Sequence, residues 1–488
     1  MNIVKLVNRQ AQVRPDAPAL VRGSQNIRFR GLAAAVHNLA SHLSAQGIAP
    51  GDRVGIAIAH SPFHVILILA LARLRAISLP VHALHPAETR KAIVDHFKPV
   101  TVIARRDQDR IEGCSLLLVD PDWVKKPAEA TLPSIMDEDI GDKAWRIYLS
   151  SGTTGVPKGV VRTHNFVLTQ TLFQASVITC DPKTRFISAM DVNTGASLLR
   201  TLRYLTMGST VVFPQSTGWD GIAAVLADGQ PTHTLVSPSH ISRWLRELGD
   251  RRVAATALTY VGVSGGRLPT ALRQRLAEHI TSHAFCTYGS TEAGSVALQY
   301  PDDPQHEPDS IGRVVPWAEA QVVDAEDRPL PPGEQGRLRF RGYGVATAYY
   351  ENPEASAKSF RNGWFYPGDL GRISRRGSLF IEAREDETLN VRGLKLMPGE
   401  TESILAAHPA VAEAAAFRAA NASGEEFLIA AVVKRSEIDS KELLNYCREK
   451  LGPRAPHRII SVSELPHDAM GKVIRSELAR NFRSLRSE

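Results

Sequence analysis

Between residues 32 and 104 the chain alternates helical and strand-like periodicity so regularly that few folds remain open to it. Leu32, Val36, Leu39 and Leu43 fall on one helical face, and Gly47 follows as a C-terminal stop. Residues 54–59 read as a buried strand. Ser61-Pro62 is an N-cap and first-turn pair for an apolar helix running to about Arg75. Residues 77–81 then form a strand, 87–96 a helix and 100–104 another strand. Such alternation builds a parallel sheet covered by helices. No Gly-x-Gly-x-x-Gly opens the first of these helices, so dinucleotide binding is unsupported. A second series places strands at 209–213, 234–236 and 258–263, with helices at 221–227 and 239–247.

The densest chemistry lies in Tyr148-Leu-Ser-Ser-Gly-Thr-Thr-Gly-Val-Pro-Lys-Gly-Val160. Ser150, Ser151, Thr153 and Thr154 supply hydroxyls, and Lys158 adds a fixed cation. Gly152, Gly155 and Gly159 permit backbone angles and approaches that side chains would block. Exposed amides, hydroxyls and one ammonium in a tight loop suit a polyphosphate. A polar surface turn also accommodates Ser, Gly and Thr, but it has little use for so many hydroxyls before a Pro-Lys-Gly exit. The Walker A pattern Gly-x-x-x-x-Gly-Lys-Ser/Thr does not occur here.

Ser-Ser-Gly-Thr-Thr-Gly-x-Pro-Lys-Gly resembles the phosphate loop of the adenylate-forming superfamily, which includes acyl- and aryl-CoA synthetases, firefly-type luciferases and nonribosomal adenylation domains. Further motifs recur in that superfamily's order, so the resemblance covers essentially the whole chain. Within Cys286-Thr-Tyr-Gly-Ser-Thr-Glu-Ala-Gly294 it implies that Tyr288, Gly289 and Ser290 bind the nucleotide, with the Tyr288 ring facing adenine. Thr291 would offer its hydroxyl to the α-phosphate, and Glu292 an oxygen ligand to Mg²⁺. Taken alone, Tyr-Gly-Ser-Thr-Glu would read as a helix start with a capping Ser or Thr. Gly265 and Gly266, at the end of a strand, are implied to lie against the adenine ring; a plain strand-to-helix turn explains them equally well.

Asp369, in Asn362-Gly-Trp-Phe-Tyr-Pro-Gly-Asp-Leu-Gly371, is implied to accept both ribose hydroxyls. Arg384 matches a residue that reaches ribose and phosphate, and Asp386 matches a hinge. The chain departs from the usual pattern at Ala383, where relatives carry Gly. Lys472, in Leu465-Pro-His-Asp-Ala-Met-Gly-Lys-Val-Ile-Arg475, matches the superfamily's catalytic lysine, and Gly393 is implied to line a pantetheine tunnel. Beside the carboxylate substrate, relatives often carry His or an aromatic residue; here stand Asp191, Val192 and Asn193, for which an ordinary turn is the equal alternative. Val192, Asn193 and Ser237 are the candidate acyl-pocket residues.

The implied fold is α/β. A large N-terminal domain, residues 1–384, would hold two parallel helix-covered sheets and a small β-barrel-like subdomain formed around 311–350. A small α+β lid domain, residues 387–488, would follow a hinge near Asp386. In that tail, helices at 398–408 and 441–451 flank strands at 411–417 and 427–433.

At 488 residues the chain can bury a large core, and a formal charge of +7 spread over that length is weak. Its basic clusters are short, which argues against nucleic acid as a partner. The most apolar run, residues 65–72, stops at Arg73 and is too short to span a bilayer. Four scattered cysteines with no Cys-x-x-Cys suit reduced thiols in a cytoplasmic setting.

The resemblance implies an ATP- and Mg²⁺-dependent ligase. A small carboxylic acid would be converted to an acyl-adenylate with release of pyrophosphate, then passed to coenzyme A with release of AMP. Lys472, Thr153, Lys158 and Glu292 would be catalytic; Ser150, Ser151, Gly152 and Thr154 would hold the phosphates. The chain ends soon after Lys472, which favours CoA over an attached carrier domain. A stand-alone adenylation enzyme loading a separate carrier protein, or a non-catalytic nucleotide-binding relative, are the alternatives.

Overall fold

The computed structural model describes all residues except 83–84, 134–139, 151–156, 231, 254–256, 267, 301–302, 304–305, 387–388, 392–393, 421–425, 468–470, 472 and 485–488. The chain divides into two compact units. One comprises residues 1–235, 290–294 and 343–363; the other comprises residues 236–289, 295–342 and 364–488.

In the first unit the strand–helix alternation yields a six-stranded sheet. Its order is Leu116–Leu118, Thr101–Ala104, Arg53–Ala57, Ile77–Pro80, Ala144–Ser150 and Lys158–Thr163. Neighbours are parallel except for the last pair, which is antiparallel. Ser61 caps the helix Pro62–Leu74, its Oγ accepting from the His64 N–H at 3.3 Å. That helix is buried on nearly every side, which is why its sequence is apolar all round. Phe97, fully buried at the end of the helix Ala87–Phe97, packs with Leu79, Val102 and Ile147.

A second sheet in this unit orders Thr232–Val236, Arg185–Ile187, Thr210–Val212, Pro18–Arg22 and Gln25–Arg28, parallel apart from the final hairpin. The Gly turn expected after Arg185–Ile187 leads directly into a helix, Gly195–Thr206, with Thr194 as its N-cap. Leu198, Leu202 and Leu205 give its buried face, and Arg200 and Arg203 are buried with them.

In the second unit Leu258–Val263 and Ala284–Ser290 are parallel neighbours. From Gly294–Leu298 the strands turn antiparallel, passing through Gly312–Val314, Ser378–Arg384, Asp369–Ile373, Gly336–Gly342 and Ala318–Val323. The tail pairs Val411–Ala420 with Glu426–Lys434, and Arg458–Ser461 joins in parallel. Alternation along these strands feeds two cores. Ala416, Leu428, Ala430 and Val432 pack with Leu405 and Leu443, whereas Phe417, Ile429 and Ala431 pack with Leu478 and Phe482. The fold is α/β, with a large N-terminal part of sheets and helices and a small C-terminal domain. Among the described residues no helix is long and apolar enough to cross a membrane.

Candidate active site

The phosphate-loop segment leaves one strand and returns on its neighbour. Ser150 pairs with Lys158 and Ile147 with Val161, so the hairpin closes at the base of the loop. Ser151, Gly152, Thr153 and Thr154 lie outside the described residues. Gly159 is needed for packing inside the protein: a Cβ there would lie 2.4 Å from Phe97 Cε1 and 3.0 Å from Ile147 Cγ2. Lys158 Nζ stands 5.0 Å from the centre of the Tyr349 ring. Tyr349 Oη donates to Glu292 Oε1 at 2.8 Å, and the Glu292 carbonyl accepts from the Ala346 N–H at 2.7 Å. The Glu292 carboxylate is buried at 7% exposure.

Arg162 ties the same region together. Its Nη1 donates to the Gly344 carbonyl at 2.8 Å, its Nη2 donates to the Thr291 carbonyl, and its guanidinium lies 4.0 Å from the Phe166 ring centre. Burial pulls its pKa down to about 10. Sequence reasoning missed both Tyr349 and Arg162. One signal was available for Arg162: strand alternation after Val160 places this cation at an inward position immediately beyond the phosphate loop.

The candidate acyl residues Val192 and Asn193 lie beside a buried histidine–aspartate group. Asp191 accepts from His82 Nε2 at 2.8 Å, from the Asn193 N–H at 2.8 Å and from Asn193 Nδ2 at 3.0 Å. Burial by itself would raise the Asp191 carboxyl, but the His82 hydrogen bond and the neighbouring imidazoles together hold it below the usual carboxylate range. Val192 is fully buried, and its N–H donates to His60 Nδ1 at 3.3 Å. His60 Nε2 is therefore the protonated nitrogen, and it donates to the Ser188 carbonyl at 2.8 Å. His64, entirely buried nearby, has no partner on either ring nitrogen among the described residues, and burial pulls its pKa down to about 3.

In the second unit Tyr288, Asp369, Arg384 and Asp386 form one hydrogen-bonded group. Tyr288 Oη donates to Asp369 Oδ2, and Arg384 Nη1 donates to Asp369 Oδ1 at 3.3 Å. Arg384 also engages both oxygens of Asp386, each at 3.1 Å. The antiparallel pairing of Asp369 with Arg384 brings these side chains to one end of the two strands. Gly265 has φ +84, a turn conformation that favours glycine, whereas a Cβ on Gly266 would make only ordinary contacts, with Pro238 Cγ at 3.6 Å and Cδ at 3.7 Å. The segment around Tyr288 forms the strand Ala284–Ser290 and a turn, not a helix start. Gly289 is exposed, and Ser290 Oγ accepts from the Ala293 N–H at 3.1 Å. Ser237 caps the helix Pro238–Leu248 and lies against Ser239, His240 and Gly471. Lys472 and Gly393 lie outside the described residues.

Residues 7–350 match the family described as AMP-binding enzyme, and residues 400–472 match the AMP-binding enzyme C-terminal domain. The chain belongs to the AMP-binding enzyme family, and so to the adenylate-forming superfamily of ligases. It is 29% identical to enterobactin synthase component E of Escherichia coli strain K12, over 95% of this chain and 91% of that protein. It is 28% identical to the probable non-canonical nonribosomal peptide synthetase CymA of Salinispora arenicola, over 96% of this chain but 6% of that protein's length. In structure it is similar to the o-succinylbenzoate coenzyme A synthetase MenE of Bacillus subtilis in complex with ATP and magnesium ion. That match has a TM-score of 0.85 at 23% identity and covers 97% of this chain and 98% of that one.

Proposed function

We propose that the chain is an ATP-dependent carboxylate–CoA ligase working through an acyl-adenylate. The observation that carries this reading is the Tyr288–Asp369–Arg384 group: a buried carboxylate fixed by a phenol and a guanidinium suits the paired hydroxyls of a ribose. A carboxylate oxygen of the acid attacks the α-phosphorus, the bond to the β-phosphate breaks, and pyrophosphate leaves. The thiol of coenzyme A then attacks the acyl carbonyl, loses its proton, and AMP departs as the anhydride C–O bond breaks.

Both reactants of the first step are anions, so catalysis is chiefly positioning and charge neutralisation. Ser150, Ser151, Gly152, Thr153, Thr154 and Lys158 hold the phosphates; Lys472 bridges the acid and the α-phosphate. Tyr288, Gly289, Ser290, Thr291, Gly265 and Gly266 surround the adenine and α-phosphate. The buried carboxylate of Glu292 is an oxygen donor of the kind a hard cation takes, and it would hold Mg²⁺. Bound there, the ion supplies neutralising charge to the phosphates. The lid, residues 387–488, turns about Asp386 between half-reactions, and Gly393 lines the path of the pantetheine arm. A cytoplasmic location goes with this reading.

The relatives named as a synthase component and a peptide synthetase favour a second acceptor, a separate carrier protein. Incubation with acid and ATP, with and without CoA, separates the two. Thioester formation dependent on CoA supports the ligase; an adenylate that accumulates unchanged in the presence of CoA supports the carrier.

A further inference from the structure

The helix Pro238–Leu248 touches the C-terminal tail near both of its ends. At its start, Ser239 Oγ donates to the Gly471 carbonyl at 2.8 Å, joining positions 232 residues apart. Ser237 Oγ lies 2.7 Å from Ser239 Oγ and 2.6 Å from His240 Nδ1. Each hydroxyl has one proton to give. Ser239 gives its proton to Gly471, while Ser237 Oγ stands within hydrogen-bond reach of both Ser239 Oγ and His240 Nδ1, and His240 Nδ1 also accepts from the Ser237 N–H at 3.5 Å. The result is a compact cluster of polar groups at the helix start, from which one hydrogen bond, Ser239 Oγ–H to the Gly471 carbonyl, reaches the backbone of the tail. Further along, Arg246 Nη1 meets Glu413 Oε1 at 3.0 Å.

Gly471 is seated tightly against this cluster. Its φ is +75, and a Cβ would lie 2.3 Å from Ser237 Oγ and 2.4 Å from Ser239 Oγ. Capping of the helix needs only Ser237 and His240; it does not require Ser239 to point outward or a bare backbone to press against the two serines.

We propose that Ser239 is a positioning residue for adenylate formation: its hydroxyl holds the backbone one residue before Lys472 and so presents that lysine for the first half-reaction. The inference rests on the role assigned to Lys472 in the ligase reading. Glu413 and Arg246 add a weaker, more exposed contact, since Arg246 is 48% exposed.

Two measurements on Ser239→Ala and Ser239→Thr test it. In Ser239→Ala, hydrogen exchange of the 465–475 segment should quicken by about fivefold, the worth of one net hydrogen bond, while strand 426–434 is unchanged. The kcat of carboxylate-dependent ATP–pyrophosphate exchange should fall by a similar factor, with KM for ATP and acid unaltered and thiolysis of supplied acyl-adenylate intact. Ser239→Thr, which keeps the hydroxyl, should behave as the parent. Unchanged hydrogen exchange in Ser239→Ala, or equal loss in both half-reactions, overturns the proposal. If the parent chain catalyses no carboxylate-dependent exchange, the ligase reading fails by itself, and the hydrogen-exchange comparison still decides the contact.

Discussion

Tyr349 Oη and Glu292 Oε1 are joined by a 2.8 Å hydrogen bond, and the same tyrosine ring lies 5.0 Å from Lys158 Nζ. One aromatic side chain thus orients the carboxylate assigned to Mg²⁺ and stands beside the cation assigned to the phosphates. Tyr349→Phe keeps the ring and removes the donor. A hydrogen bond to a charged group is worth about 1.5–3 kcal/mol, so stability should fall by about that much in chemical denaturation. The Mg²⁺ concentration giving half-maximal pyrophosphate exchange should rise. An unaltered Mg²⁺ curve with lowered stability would confine Tyr349 to holding the fold.

Gly159 is held to glycine by Phe97. An added methyl would lie 2.4 Å from the edge of a fully buried ring packed in the core. Gly159→Ala should therefore cost about 1–3 kcal/mol from overpacking, read from the denaturation midpoint. Shrinking the ring by Phe97→Leu in the same chain should cost less than the sum of the two single changes. Strict additivity would show that the two residues do not press on each other.

Gly266 presents the opposite case. The protein leaves ordinary contact distance around a Cβ at this position, with Pro238 Cγ at 3.6 Å. If the adenine ring lies against this glycine, Gly266→Ala should leave the thermal midpoint unchanged and raise KM for ATP. A normal KM would remove Gly266 from the nucleotide site.

Much of this architecture was legible in the sequence because periodicity and caps speak for themselves. Ser61-Pro62 started a helix, Gly47 with φ +88 followed one, and in the tail Pro398–Ala406, Val411–Ala420, Glu426–Lys434 and Ser440–Leu451 lie close to their expected bounds, while Arg458–Ser461 and Arg475–Ser484 went unread. What escaped was set by tertiary partners. That Arg200 and Arg203 are buried could not be read from their charge, and Arg203 has its guanidinium 4.4 Å from the Tyr204 ring centre. Gly159 is expected to permit a close approach that a side chain would block, and the group that approaches is a phenyl ring 62 positions earlier, which no local spacing indicates. Tyr349 carries no local signature, because its partner Glu292 is 57 residues away. The Ser237–Ser239–Gly471 contact joins segments whose proximity no spacing rule encodes.

His64 gives the fold a proton-linked weakness. Its imidazole takes a proton near the ordinary 6.5 when unfolded but only at about 3 in the fold, where burial opposes the charge. Between those values the unfolded chain binds one more proton, so stability falls as pH drops through that window. The slope is about 1.4 kcal/mol per pH unit for each such group. Burial likewise pulls His164, His233 and His240 down to about 4. Because neither ring nitrogen of His64 has a partner among the described residues, His64→Leu should not cost stability at neutral pH. It should flatten the pH dependence between about 4.5 and 6 by one proton. An unchanged slope would show that the fold admits a charged imidazole here.

The ligase chemistry requires Lys472 in one half-reaction and not in the other. Lys472→Ala should lower carboxylate-dependent ATP–pyrophosphate exchange by on the order of 10²–10³, the usual loss for one preorganised donor, while thioester formation from supplied acyl-adenylate continues near the parent rate. Equal loss in both half-reactions, or exchange that persists without the lysine, would contradict it.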